Sequence, residues 1–191
     1  ARASELERDA AIGADMAVHS GKLPDAKTQK FLDSLGDRRS QERSFASMVY
    51  FPKSQNTRLA QVKALQGQFP YYGKLETIPE NAGTDFRNGK KALVDQTLML
   101  QYNAKVGDSI KVGYVTFLIE GTLTKAPGQA GIASGIAPMV YIPMHYLDQT
   151  GLMQKGSRIN YTFYYKYDHA IDMAKLTKSL DPKMEKLELG Y

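Results

Sequence analysis

The 191-residue chain contains no cysteine. That absence excludes a disulfide framework, a thiol nucleophile and a thiolate metal site together. It leaves the compartment open, although it suits an envelope protein that avoids stray disulfides. Long apolar runs are missing as well: no stretch approaches the ~18 consecutive apolar residues that a membrane-spanning helix needs. No secretory leader pattern is present. Histidine is scarce, and His19, His145 and His169 stand far apart, so the close His–His spacing of a zinc site does not occur. Neither sign of charge dominates. The 25 basic and 20 acidic residues give a formal +5, interspersed rather than clustered, which reads as a solvated surface and not as a nucleic-acid footprint.

Local catalytic signatures are equally sparse. Gly83-Thr-Asp-Phe-Arg-Asn-Gly89-Lys90-Lys91 looks at first like a phosphate-binding loop. It has five residues between the glycines instead of four and no Ser or Thr after the lysine, and its context predicts a strand to follow rather than a helix. Without that helix there is no N-terminal dipole to hold a phosphate. In the glycine-rich loop from Gly128 to Gly135, Ser134 is not in a G-x-S-x-G nucleophile elbow. A flexible surface loop is the expected state, with Ile132 and Ile136 open to partner contact. The residues therefore nominate no catalytic, cofactor-binding or metal-ligating group, no cofactor, and no particular contact residue for a substrate or partner.

What is present is a globular composition, 42% hydrophobic and 24% charged, in a chain long enough to bury a core without staples. A helical turn or two is expected over residues 4–11, then a strand over 12–20. Asp25 is placed to cap a helix carrying Phe31, Leu32 and Leu35, with Gly36 as its left-handed stop. Phe45 to Phe51 and Arg58 to Leu65 predict a hairpin turned by residues 52–56. Both faces of the first arm are expected to be partly buried, and the Gln61/Lys63 face of the second to be wet. At Gly67 the texture changes, with frequent glycine and proline and short apolar runs until about Pro138. Strands are expected there at 92–94, 109–112 and 115–123, with a compact turn at Gly113-Tyr114. Asp95 is read as the cap of a short helix from Gln96 to Tyr102, and Gly107-Asp108 as a turn.

After Pro138 come a strand at 139–142, a short helix at 144–149 stopped by Gly151, and a tyrosine-rich strand from Arg158 to Tyr167. In it Tyr161, Phe163, Tyr165 and Tyr167 share one face, opposite Tyr164 and Lys166. Core packing explains these aromatics better than base stacking does. A helix capped by Asp168 and ended at Asp181-Pro182 follows, then a closing strand over 186–189. The expected class is α+β: a sheet domain with helices on one face (1–66 and 138–191), interrupted by a small β-rich subdomain (67–137). The chain begins on ARASELERDA without methionine and stops on LELGY; it is expected to be a piece of a larger protein whose membrane segments lie outside it.

Four motifs occur in order: Gly13-Ala14-Asp15 leading into a strand; Val94-Asp95-x-Thr97-Leu98; Lys105-x-Gly107-Asp108-x-Ile110-x-x-Gly113 with a following strand ending Ile119-x-Gly121; and Tyr141-Ile142 before a short helix. Together they resemble the extracytoplasmic, MacB-type core domain of FtsX-like ABC-transporter permeases. Phe69-Pro70-Tyr71-Tyr72-Gly73, Glu76-Thr77 and Gly156-Ser157-Arg158-x-x-Tyr161 further resemble the branch associated with lysophospholipase biosynthesis or lipid-related export.

The resemblance implies a non-catalytic periplasmic domain, tethered by flanking membrane helices to the inner membrane. Such a domain couples ATP hydrolysis by a separate cytoplasmic ATPase to an extracytoplasmic substrate or partner, by export or mechanotransmission. The resemblance also implies a porter-like form for the α+β part, and leaves as further partners a second permease copy, a periplasmic accessory protein, or a lipid or lipoprotein. Movement between the two parts would place hinges near Gln66-Gly67 and Ala137-Pro138. A lipid- or lipoprotein-capturing envelope module is the rival reading. An envelope hydrolase and a nucleic-acid binder are weaker ones.

Overall fold

The computed structural model describes residues 11–127 and 137–191. The helical turns expected over residues 4–11 fall almost wholly outside this range, as does most of the glycine-rich loop with Ile132, Ser134 and Ile136.

Nine strands form one sheet. They are β1 (Met16–Ser20), β2 (Arg38–Phe51), β3 (Asn56–Gln66), β4 (Glu76–Ile78), β5 (Lys91–Asp95), β6 (Ser109–Val112), β7 (Val115–Lys125), β8 (Met139–Pro143) and β9 (Asn160–Lys166). Among the described residues the α-helices with both ends in view are α1 (Ala26–Asp33), α2 (Ala82–Asp85), α3 (Gln96–Gln101) and α4 (Met173–Lys186).

The pairing order closes on itself. β2 pairs with β3, β3 with β8, β8 with β5, β5 with β7, β7 with β6, and β6 returns to β2. The result is a six-stranded ring, with β9 and β1 extending from the start of β2, and β4 attached to the end of β7.

Alternation explains which side turns inward. Phe45, Val49, Val62, Val94, Ile110, Phe117, Ile119, Val140 and Ile142 are buried in one apolar cluster drawn from all six ring strands. Each fully buried side chain of this kind contributes roughly 1.5–3 kcal/mol. The same layer continues under β1 and β9, where Leu32 of α1 and Met173 and Met184 of α4 join it, and Leu98 of α3 adds to it. The aromatic face of β9 belongs here too. Tyr165 and Tyr167 donate through their hydroxyls to the carbonyls of Leu32 (2.7 Å) and Leu35 (2.6 Å), fastening the α1 region to the sheet. Burial pushes both phenols up, Tyr167 to about 12.

The opposite face is covered by residues from 67–88. Phe69, Leu75, Ala82 and Phe86 pack on Leu65, Leu93, Leu123 and Tyr141. α2 therefore sits across the sheet from the other helices, so the expectation of helices on a single face holds for α1, α3 and α4 only. Arg87 fixes this segment by donating to the carbonyls of Gly67 (2.7 Å) and Phe69 (2.5 Å).

Several local expectations are corrected. β2 begins at Arg38 and is one-sided in its distal half: Phe45, Val49 and Phe51 are buried, but Met48 is 53% exposed. Gln61 and Lys63 are half-buried rather than wet. Gly36 is not left-handed; it makes room for the Tyr165 ring, which a Cβ would meet at 2.9 Å. The helix expected at 144–149 is two 3₁₀ turns, Met144–Tyr146 and Asp148–Thr150, stopped as expected by left-handed Gly151. The cap of α4 is Asp172, not Asp168, and the helix runs through Pro182 to Lys186 because Met173 and Met184 anchor both ends in the core. In place of a closing strand, Gly190 makes a single bridge to His19.

Candidate functional site

The residues singled out for chemistry are dispersed or structurally engaged. His19 bonds Thr162 Oγ1 at 3.1 Å, His145 stacks edge-on to Tyr146, and His169 is exposed. Burial, and secondarily Lys63, hold the His19 imidazole below its ordinary value. Among the described residues no group of three or more His, Cys, Asp or Glu is placed to hold a metal. Gly83 lies in α2, while Lys90 stands over the Tyr146 ring and Lys91 pairs with Glu120 at 3.7 Å.

The four ordered motifs have structural duties. Asp95 caps α3 by accepting from the Thr97 amide at 2.8 Å. Leu98 of that helix is buried, whereas Leu100 is 76% exposed. Asp108 accepts from the Lys105 amide (2.9 Å) and from Lys53 (3.3 Å); the first of these contacts chiefly holds its carboxyl below the usual range. Asp15 is a junction. Its carboxylate accepts from the Tyr72 hydroxyl (2.5 Å) and from the Tyr167 amide (2.8 Å), while the Gly13 carbonyl accepts from the Tyr71 amide (2.7 Å). The strand nearest the N-terminal end is thus bonded to β9 and also to the segment that starts at Gly67.

The joints of the ring are unequal. β2 and β3 pair from Gln41↔Gln66 through Phe51↔Asn56, and β3 and β8 from Gln61↔Met139 through Leu65↔Pro143. β6 meets β2 only at Val49↔Val112 and Tyr50↔Lys111. β5 meets β8 only at Leu93↔Tyr141 and Val94↔Val140. These two short joints are where strands from residues 67–137 meet strands from the rest of the chain.

One polar group was not nominated by the sequence. Glu42 is 4% exposed, and its Oε1 has no hydrogen-bond partner. Lys63 Nζ lies 3.8 Å from Oε2. Burial, opposed by Lys63, raises the Glu42 carboxyl above the usual range.

No helix among the described residues is long and apolar enough to cross a membrane. The uncharacterised ABC transporter permease YbbP of Escherichia coli (strain K12) is 31% identical over 165 residues, 86% of this chain and 19% of that protein. The chain therefore spans about a fifth of that relative's length. In fold it is similar to the periplasmic region of MacB from Actinobacillus actinomycetemcomitans, with a TM-score of 0.56, 12% identity, and coverage of 98% of this chain and 92% of that one. It is also similar to a domain of a protein described as a permease from Porphyromonas gingivalis, with a TM-score of 0.55, 11% identity and coverage of 91% and 85%. The family described as the MacB-like periplasmic core domain matches residues 9–183, and the chain belongs to that family.

Proposed function

We propose that this chain is the non-catalytic extracytoplasmic domain of an ABC permease. It passes displacement between membrane helices, driven by a cytoplasmic ATPase, and a substrate or partner outside the membrane. Residues 1–66 with 138–191 form one unit and residues 67–137 the other, with hinges near Gln66-Gly67 and Ala137-Pro138. The observation that carries this reading is the inequality of the joints. A net ~0.5–1.5 kcal/mol per hydrogen bond makes each short joint a matter of a few kcal/mol. The β2–β3 ladder, several times longer, stays intact. Apolar contacts inside the ring are non-directional, so strands can shift at the short joints while the interior stays dry.

The junction at Asp15 adds a route. A pull arriving from the N-terminal side reaches β9 through the Tyr167 amide and the 67–137 unit through Tyr71 and Tyr72. Such movement becomes coupling when a ligand or partner binds the two arrangements with different affinity. The lipid-related reading rests on sequence motifs alone. Phe69 is buried, Tyr71 bonds Ser40 at 2.7 Å and Tyr72 bonds Asp15, so these residues serve the fold and leave the cargo class open.

The test is a cross-link. Tyr50→Cys with Lys111→Cys places two thiols on a directly opposed cross-strand pair in a chain with no native cysteine. In the intact permease the oxidised pair is expected to abolish coupled activity, and reductant to restore it. Full activity with the cross-link quantitatively formed contradicts the reading.

A further inference from the structure

A carboxyl with an empty acceptor beneath a covering segment calls for a reason. Glu42 stands mid-strand on the face of β2 opposite the ring interior, beside Thr162 on β9 and Leu65 on β3. Leu65 belongs to the same buried cluster as Phe69, Leu75 and Phe86 of the covering segment. Tyr164, on the same face of β9 as Thr162, is stacked on Phe69 with ring centroids 3.8 Å apart and planes 21° apart. The groups facing the carboxyl come from every neighbouring element. Lys63 on β3 is the nearest cation, and its Nζ also stands over the Tyr141 ring. Tyr164 is on β9 and Tyr141 on β8, and both act on Glu42 electrostatically. Arg87, in the covering segment, acts on Tyr141, and His19 on β1 feels Lys63.

We propose that Glu42 is a proton-binding site that latches the segment 67–88 onto the sheet: the neutral carboxyl keeps the segment seated, and loss of its proton to solvent loosens it. The neutral form makes modest demands. It carries no charge to desolvate, and its oxygens need fewer donors than those of a carboxylate. The ionised form offers two oxygens that each need donors, while Lys63 reaches only Oε2, and at 3.8 Å. Oε1 is then a buried anionic oxygen with no hydrogen-bond partner. Solvating it requires water to enter beneath the covering segment, whose Phe69 is stacked on Tyr164. Tyr141, which faces the same carboxyl, also makes the β5–β8 joint with Leu93, so the loosening extends to one of the two short joints. The inference concerns the domain alone and stands whether or not the permease coupling does.

The sign follows from the folded state holding this proton more tightly than the unfolded chain. Stability from Glu42 is fully present below its ordinary value of 4.5 and falls as pH rises through the folded value. His19, depressed in the folded state, works the other way, losing stability as pH falls. The readout is therefore the difference between the wild-type chain and Glu42→Gln.

Hydrogen exchange of the 191-residue chain, corrected for intrinsic rates, is measured between about pH 5 and pH 8. Protection over residues 69–86 in the wild type, taken relative to Glu42→Gln at each pH, is expected to fall as pH rises, by up to about tenfold for every tenfold by which folding tightens the hold on the proton. Parallel profiles in the two proteins overturn the proposal. Should Glu42→Gln not fold, Lys63→Gln keeps the carboxyl and removes its counter-charge. The loss of protection is then expected at higher pH, and an unchanged profile overturns the latch. A Glu42 carboxyl carbon resonance titrating with a midpoint at or below 4.5 overturns it in any background.

Discussion

Two kinds of strand joint hold this domain together, and the difference between them separates architecture from function. The β2–β3 hairpin is tied along its length from Gln41↔Gln66 to Phe51↔Asn56, through a short turn at residues 52–55. The β2–β6 joint, on the opposite edge of the same strand, has only Val49↔Val112 and Tyr50↔Lys111. The first is local in sequence and long. The second closes a loop of about sixty residues, an entropy cost that local turns avoid, and returns few hydrogen bonds. Beneath both lies one apolar interior. The teaching is that cohesion here comes from the interior, while the strength of each ladder decides where the ring can give.

The largest expected effect tests the shared interior. Phe117→Ala removes a fully buried ring and is expected to cost about 3–5 kcal/mol. Circular dichroism should show one cooperative transition, because both units rest on the same cluster; two separated transitions would break the idea of a common core. Next is the Tyr50→Cys/Lys111→Cys cross-link, expected to stabilise the isolated domain by about 2–4 kcal/mol in denaturant titrations. A gain as large from a cross-link within the β2–β3 hairpin would remove the distinction between the joints.

Gly67, at the start of the proposed 67–137 unit, has φ +95°, and an added Cβ would lie 2.6 Å from Ser40 Oγ. Gly67→Ala is expected to cost ~1–3 kcal/mol, read as a shifted denaturation midpoint. Asp95→Ala removes the cap of α3 and should cost ~1 kcal/mol. Smallest of all, Asp108→Asn should leave coupled activity largely intact and change stability by about 0.5 kcal/mol or less. Since the Asp108 carboxyl is depressed in the fold, its contribution is present above the ordinary value of 3.8 and lost as pH falls through the lower folded one. Loss of activity in a well-folded Asp108→Asn protein would make that turn more than a turn.

Much of the framework was legible in the residues. The Asp25 and Asp95 caps, the β2–β3 hairpin, the Gly113-Tyr114 turn and the buried aromatic face of β9 all follow from local chemistry: an oxygen able to meet an orphan amide, or an apolar period of two. The misses share a cause. β4 is three residues long, too short for a period. Pro182 reads as a stop, yet the burial of Met173 and Met184 outweighs the missing amide. Ring closure leaves no local pattern because the β2–β6 and β5–β8 contacts are brief and distant in sequence. Lys63 alternates like a solvent-facing residue, and what half-buries it together with Glu42 is a segment folded back from elsewhere. The candidate site was therefore the least legible part: Glu42 looks ordinary until the fold buries it with one oxygen unpartnered.

The central claim is that the units 1–66 with 138–191 and 67–137 move relative to one another at the two short joints. Spin-label distances in the intact permease, between nucleotide-free and ATP-bound states, test it most directly. One label pair spans the units, for example on Met48 and Leu118, and control pairs lie within each unit. The account predicts a changed distance across the units and constant distances within them. A single fixed arrangement across all pairs, in a permease shown to be hydrolysing ATP, would contradict it.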